Sequence, residues 1–200
     1  MSFVPMEVRE ILDIASEKVP LDLETVMPEL KRWYNGYKFN TAQKETLYNP
    51  SIVLYFATHY QGLEEFLVTM LDKNIASDYH KIRLLLTVDN PEQNYEVLNR
   101  IIEQDTVTGE LTEEFSFEKL FSEGDFLSLL FYNGFLTLED YWGGDTTFRV
   151  PNYVIQRLYL DYFFDLLKER KTIIVNSATI REAVKEMAVK GNPQLFFAYI

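Results

Sequence analysis

The stretch DFLSLLFYNGFLTLEDYWGGDTTFRVPNYVIQRLY, residues 125–159, decides the fold, because its apolar period changes twice within it. Asp125 to Tyr132 reads as a helix that stops at Asn133–Gly134, the residue types that accept the left-handed backbone of a helix end. FLTLED then alternates apolar and polar, as a half-buried strand does. YWGGDT supplies a Gly-Gly turn and TFRV a return strand. Pro151 ends that strand, and a helix follows with Val154, Leu158, Tyr162 and Leu166 on its inner face.

Working outward, Ser116 is placed to cap a short helix through Phe121. Helix, helix, β-hairpin, helix is the element order of a winged-helix module, expected over about residues 111–172. Just upstream, DTVTGELTEEF sets β-branched residues around a glycine and fits a short hairpin, an irregular strand or a loop. Asn90–Pro91 opens a helix that carries Tyr95, Leu98, Ile101 and Ile102 to about Gln104. Residues 78–88 read as helix, although KIRLLLTV also fits a strand, and about 63–72 read as helix.

The N-terminal part continues the helical pattern. Residues 5–18 align Val8, Ile11, Leu12 and Ala15, and residues 21–33 align Leu23, Val26, Met27, Leu30 and Trp33, with a kink or restart expected at Pro28. The turn RWYNGYKFN, residues 32–40, and a polar loop then lead to YNPSIVLYF, where Asn49 and Pro50 are cap and first residue of a helix reaching about Tyr60. The fold expected is therefore mainly α. It comprises a helical lid-like bundle over 1–110, the winged-helix module with its small β-hairpin over 111–172, and a helical connector over 173–200. Within that connector TIIV fits a short strand or a linker. Ser177 opens a helix with Ile180, Ala183, Val184 and Met187 aligned, and Asn192–Pro193 opens a last, strongly apolar one. Such a terminus points to a further domain that would cover it.

Composition narrows the function. At 47% hydrophobic and 25% charged residues the chain is ordinary for a globular protein. It has neither an apolar run long enough to span a bilayer nor a signal-peptide pattern at MSFVPMEVREI. With no cysteine it lacks disulfides and thiol chemistry, in keeping with a cytoplasmic location and no membrane. A net charge of −12 repels phosphate backbones, and the densest basic stretch is only Lys168, Arg170 and Lys171. Nucleic acid is thus a disfavoured partner for this chain alone.

Catalytic signatures are missing as well. No phosphate loop of the GxxxxGK[ST] kind and no GxGxxG occurs. His59 and His80 stand outside any paired-ligand spacing, and no GxSxG elbow is present. DKNIASDYHKIR lacks the glycine and the terminal glutamate of a calcium loop. Glu29-Leu30-Lys31 has the triplet of a nuclease core but sits in a helical pattern, where it reads as a solvated face. No catalytic residue, metal site or resident cofactor is assigned.

The remaining feature is the aromatic turn. WYNGYKF…LYNPSIVL closely resembles a signature of the large bacterial and archaeal AAA-ATPase-like family, in which a W-Y-[DN]-G-Y-x-F turn precedes Y-N-P-x-S and a helix. Trp33, Tyr34, Asn35, Gly36, Tyr37 and Phe39 match its first half; Tyr48, Asn49 and Pro50 match its second, with Ser51 one place early. Upstream, F-x-x-x-E-V-R-E-I-L resembles the segment after the family's ATPase core. Downstream, FLSLLFYNGFLTLED…FRVPNYVIQRLY resembles its L-L-Y-x-x-G-Y-L-T…L-x-[IV]-P-N-x-E-V stretch. The ordered matches span roughly residues 3–160. Two departures mark a divergent branch: ATHYQGLEEFL replaces a Tyr-Trp and Thr-Ser/Thr-Gly stretch, and Tyr153 stands where an acidic residue is common.

The resemblance implies that this chain is the lid and winged-helix portion of a longer ATPase. Complete members carry a phosphate-loop core upstream, which would bind ATP and Mg, and often a PD-(D/E)XK nuclease-like domain downstream. The partners implied are that core and that C-terminal domain. In the turn, Tyr34, Tyr37, Tyr48 and Pro50 would pack to fix a corner between two helices. Gly36 would supply a positive φ or a close approach, and Asn49 a cap. Alternatively the turn would face nucleotide, with Arg32 and Lys38 as candidate phosphate-facing cations; packing is the favoured reading. In the winged helix, EGDFLSLLFYN has no Lys or Arg, so a protein contact is favoured over DNA, with Tyr141 and Trp142 at the wing tip as its candidates. The competing class is a stand-alone winged-helix module that binds a protein or a nucleic acid.

Overall fold

The computed structural model describes residues 3–17, 22–59, 74–115 and 122–169. Three helices form the N-terminal assembly. Helix α1 (Pro5–Ser16) starts with proline at a position that needs no N–H, and the Glu7 carboxylate accepts the free Val4 amide at 2.9 Å. It buries Val8 and Leu12, one turn apart. Helix α2 (Leu23–Tyr34) is capped by Asp22, whose carboxylate accepts from the Glu24 amide and the Thr25 hydroxyl. The expected break at Pro28 does not divide it. A proline there removes the hydrogen bond to the carbonyl four residues earlier, and that residue, Glu24, is exposed in the first turn. Helix α3 (Pro50–His59) is capped by Asn49, whose side-chain oxygen accepts the Ser51 amide at 3.1 Å.

The second assembly runs through α4 (Asn74–Leu86), α5 (Pro91–Gln104), β1 (Thr106–Gly109), α6 (Glu123–Tyr132), β2 (Thr137–Trp142), β3 (Asp145–Arg149) and α7 (Tyr153–Glu169). KIRLLLTV is thereby helical up to Leu86. Ile82 and Leu86 are buried four residues apart while Leu84 is exposed, a helical rather than a strand period. Buried Asn94 closes the turn from α4 into α5, donating to the carbonyls of Leu86 and Val88. Helix α6 carries a capping box in which Ser122 and Asp125 satisfy each other's amides.

The three strands are antiparallel in the order β1-β3-β2. β1 is a lone strand on β3, not a hairpin of its own. Its inner residue Val107 faces Phe148, which faces Leu138 in turn. Gly143 and Gly144, both at positive φ, make the β2–β3 turn.

Among the described residues two apolar cores result. One joins Val8, Leu12, Val26, Leu30, Val53 and Phe56. The other joins α4, α5, α6, the sheet and α7 around Phe126, Leu127, Leu130 and Phe148. Helix α7 belongs to both: Val154 lies in the first core and its neighbour Ile155 in the second. The helices expected near 63–72 and 116–121, and every element expected beyond Glu169, lie outside the described residues. No described helix is long and apolar enough to cross a membrane.

Candidate functional site

The aromatic turn lies where the two assemblies meet, and its first layer is internal. Tyr34, Tyr37 and Tyr48 are all buried. Tyr37 exchanges both backbone hydrogen bonds with Leu47, at 3.2 and 2.9 Å, and the Asn49 amide donates to the Tyr34 carbonyl. Buried Asn35 closes the loop between them. Its Nδ2 donates to the Thr46 carbonyl at 3.2 Å, and its Oδ1 accepts the Thr46 hydroxyl. The chain before α1 joins the same layer, since Phe3 and Tyr48 exchange backbone hydrogen bonds at 3.3 and 2.8 Å.

The second layer ties the turn to the sheet assembly. Gly36 has φ of +116°, and a Cβ built there would meet the Pro151 carbonyl oxygen at 1.7 Å, so the two backbones are in direct contact. Two residues on, the Lys38 amide donates to Thr137 Oγ1 at 2.6 Å, and that hydroxyl donates back to the Lys38 carbonyl at 3.0 Å. The same carbonyl accepts the Leu138 amide at 3.3 Å, so the Lys38 backbone lies against the start of β2. Trp33 packs edge-on against Tyr153, with ring centres 4.5 Å apart, and its indole N–H donates to Glu29. Phe39 is half exposed, its ring centre 6.4 Å from that of Phe131.

The four quoted segments thus converge. Phe3 from the first, residues 33–39 and 47–49 from the turn, Thr137 from FLTL and Pro151 with Tyr153 from VPNY all meet along one seam. Thr137 and Thr46 carry the seam without being singled out in the sequence, and Pro151, read there only as a strand terminator, joins them. Thr137 and Pro151 do fall inside quoted motifs, which was the available signal.

Burial sets the chemistry of this seam. It raises the Tyr48 hydroxyl above its ordinary range, an effect partly offset by the hydrogen bond with Asn35. Burial likewise raises Tyr159 well above that range, with the nearby Tyr37 adding to it, and the Tyr159 hydroxyl donates to the Phe135 carbonyl at 3.0 Å. These phenols are neutral hydrogen-bonding groups rather than acids or bases near neutral pH. Among the described residues no three His, Asp or Glu side chains gather as a metal site requires.

The candidate cations sit at the seam's margin. The Arg32 guanidinium carbon lies 5.5 Å from the centre of the Tyr153 ring. Lys38 contributes its backbone, as described. Tyr141 and Trp142 lie apart from both, at the far end of β2 from Thr137, and Trp142 is 85% exposed. No family model, no curated protein and no solved structure matches this chain.

Proposed function

We propose that this chain is the non-catalytic lid and winged-helix region of an AAA-type ATPase, coupling the nucleotide state of a separate ATPase core to the movement of partner domains. The observation that carries the reading is the seam. Segments distant in sequence, each resembling a family signature, are spent on holding one helical assembly against the other. The backbone contact of Gly36 with Pro151 and the paired hydrogen bonds of Lys38 with Thr137 leave little freedom between them. A displacement of α2 is therefore passed to β2 and to the start of α7, which is what a coupling element has to do.

Within this reading α5, β1, α6 and the β2–β3 hairpin are a winged helix, extended upstream to include α5 and β1. The strand order, with one strand before α6 and a hairpin after it, supports that assignment. Helix α6 brings Glu123 and Asp125 and no cation, so it suits packing against protein better than against phosphate. ATP and Mg belong to the proposed core, and the ATPase core and C-terminal domain are the proposed partners.

The test is the coding sequence on either side of residues 1–200, followed by calorimetry. An in-frame upstream GxxxxGK[ST] loop and no micromolar binding of Mg-ATP by the 200-residue chain are expected. Tight binding by this chain alone would overturn the assignment of the nucleotide site to another domain. A second reading, a stand-alone winged-helix binding module, is favoured by the exposed hairpin tip. A salt-sensitive shift with duplex DNA would select its nucleic-acid form.

A further inference from the structure

We propose that the tip of the β2–β3 hairpin docks a basic protein segment, one of whose arginine or lysine side chains stacks on the Trp142 indole between the carboxylates of Asp140 and Asp145. The proposal stands whether or not the chain belongs to an ATPase.

The register places these groups together. Trp142 is paired with Asp145 across the hairpin, and paired residues of an antiparallel ladder share a face, with Cβ atoms about 5 Å apart. Asp140 precedes Trp142 by two residues and so lies on that face too, about 7 Å along the strand. The irregularity in β2 falls between Leu138 and Asp140, so the pairs nearer the tip are regular. The opposite face carries Phe148 and Thr146, both buried, which turns the Trp142 face away from the core. Trp142 is accordingly 85% exposed, whereas Tyr141, which precedes it and is paired with Thr146, belongs to the opposite face.

Charge selects the occupant. From Thr137 to Arg149 the only cation is Arg149, and it is engaged at the hairpin's base by Glu139 at 3.2 Å and Asp105 at 3.4 Å. Asp140 and Asp145 form no salt bridge among the described residues; Asp140 accepts only the Tyr141 amide. An indole flanked by two carboxylates attracts a cation through its π face and through Coulomb attraction together. A nucleic acid offers the same stacking planes but brings phosphates towards those carboxylates, and the −12 net charge opposes it. Neutral apolar partners would leave both carboxylates desolvated without a counter-charge.

Tryptophan fluorescence tests this directly, since the chain's other tryptophan, Trp33, is buried. The 200-residue chain is titrated with an eight-residue peptide of alternating arginine and threonine, and with the same peptide carrying neutral citrulline for arginine. Saturable quenching is expected from the first and none from the second. Trp142→Phe should abolish the signal, and the double variant D140N/D145N should weaken binding about tenfold. The charge-matched control E96Q/E103Q, on the exposed face of α5, should stay within about twofold of the unmodified chain. Equal loss in both double variants would mean attraction to net charge alone and would overturn the proposal. So would absence of quenching by the arginine peptide, equal binding of the citrulline peptide, or quenching by an eight-nucleotide oligothymidine in its place.

Discussion

The backbone of Gly36 lies against the carbonyl of Pro151 so closely that a methyl group at Gly36 would fall 1.7 Å from that oxygen, inside any permitted contact. With φ at +116°, an L-residue there is also strained in its own backbone. Gly36→Ala should therefore cost at least about 3 kcal/mol, by adding backbone strain to overpacking. Gly143→Ala, at φ +67° with open space around it, should cost only about 1 kcal/mol. Urea unfolding of the two variants measures the difference.

Thr137 is the other half of the seam, and its hydroxyl both accepts from and donates to the Lys38 backbone. Thr137→Val keeps the shape and removes both hydrogen bonds, for an expected loss of about 1–3 kcal/mol. Thr137→Ser keeps the hydroxyl and should lose clearly less. A larger loss in Thr137→Ser than in Thr137→Val would place the stabilisation in the methyl group.

Asn35 donates to the Thr46 carbonyl and accepts the Thr46 hydroxyl while buried. Asn35→Asp sets an acceptor against an acceptor and buries a charge. The introduced carboxyl would have its folded pKa raised, so its penalty appears as pH rises above the ordinary carboxylate range. The variant should be destabilised by about 2–4 kcal/mol at pH 7 and by less at pH 4. Unfolding curves at the two pH values check the sign.

The buried tyrosines set an alkaline limit. Tyr159 and Tyr48 are raised by burial, so the unfolded chain loses these protons first as pH rises above about 10. The folded state then holds more protons, and stability falls with a limiting slope of about 1.4 kcal/mol per pH unit for each such tyrosine. Tyr159→Phe should be about 1 kcal/mol less stable near pH 7, for want of its bond to the Phe135 carbonyl, yet decline less steeply above pH 10. Parallel slopes for the two proteins would contradict this.

The local signals in the sequence carried far. Asn90–Pro91, Asn49–Pro50 and Gly143–Gly144 act through neighbours within four residues, so each can be read without the fold. What could not be read is what pairs at long range. Thr106–Gly109 is short and half polar, and it becomes a definite strand only because β3 supplies its partner some forty residues later. Pro28 warned of a break, but its missing hydrogen bond falls in an exposed first turn. For the seam, the motif letters marked the residues while leaving out their partners. Nothing local in Gly36 says that Pro151 will lie against it.

The sequence separation across the seam also bears on how quickly the chain reaches its native state. Lys38 and Thr137 are 99 residues apart, so their encounter closes a large loop before any compensating contact is made. The helical pairs and the glycine hairpin involve near neighbours and can form on a much shorter timescale. Docking of the two preformed halves should then be the late event. Weakening the seam would chiefly quicken unfolding while leaving the refolding rate nearly as it was.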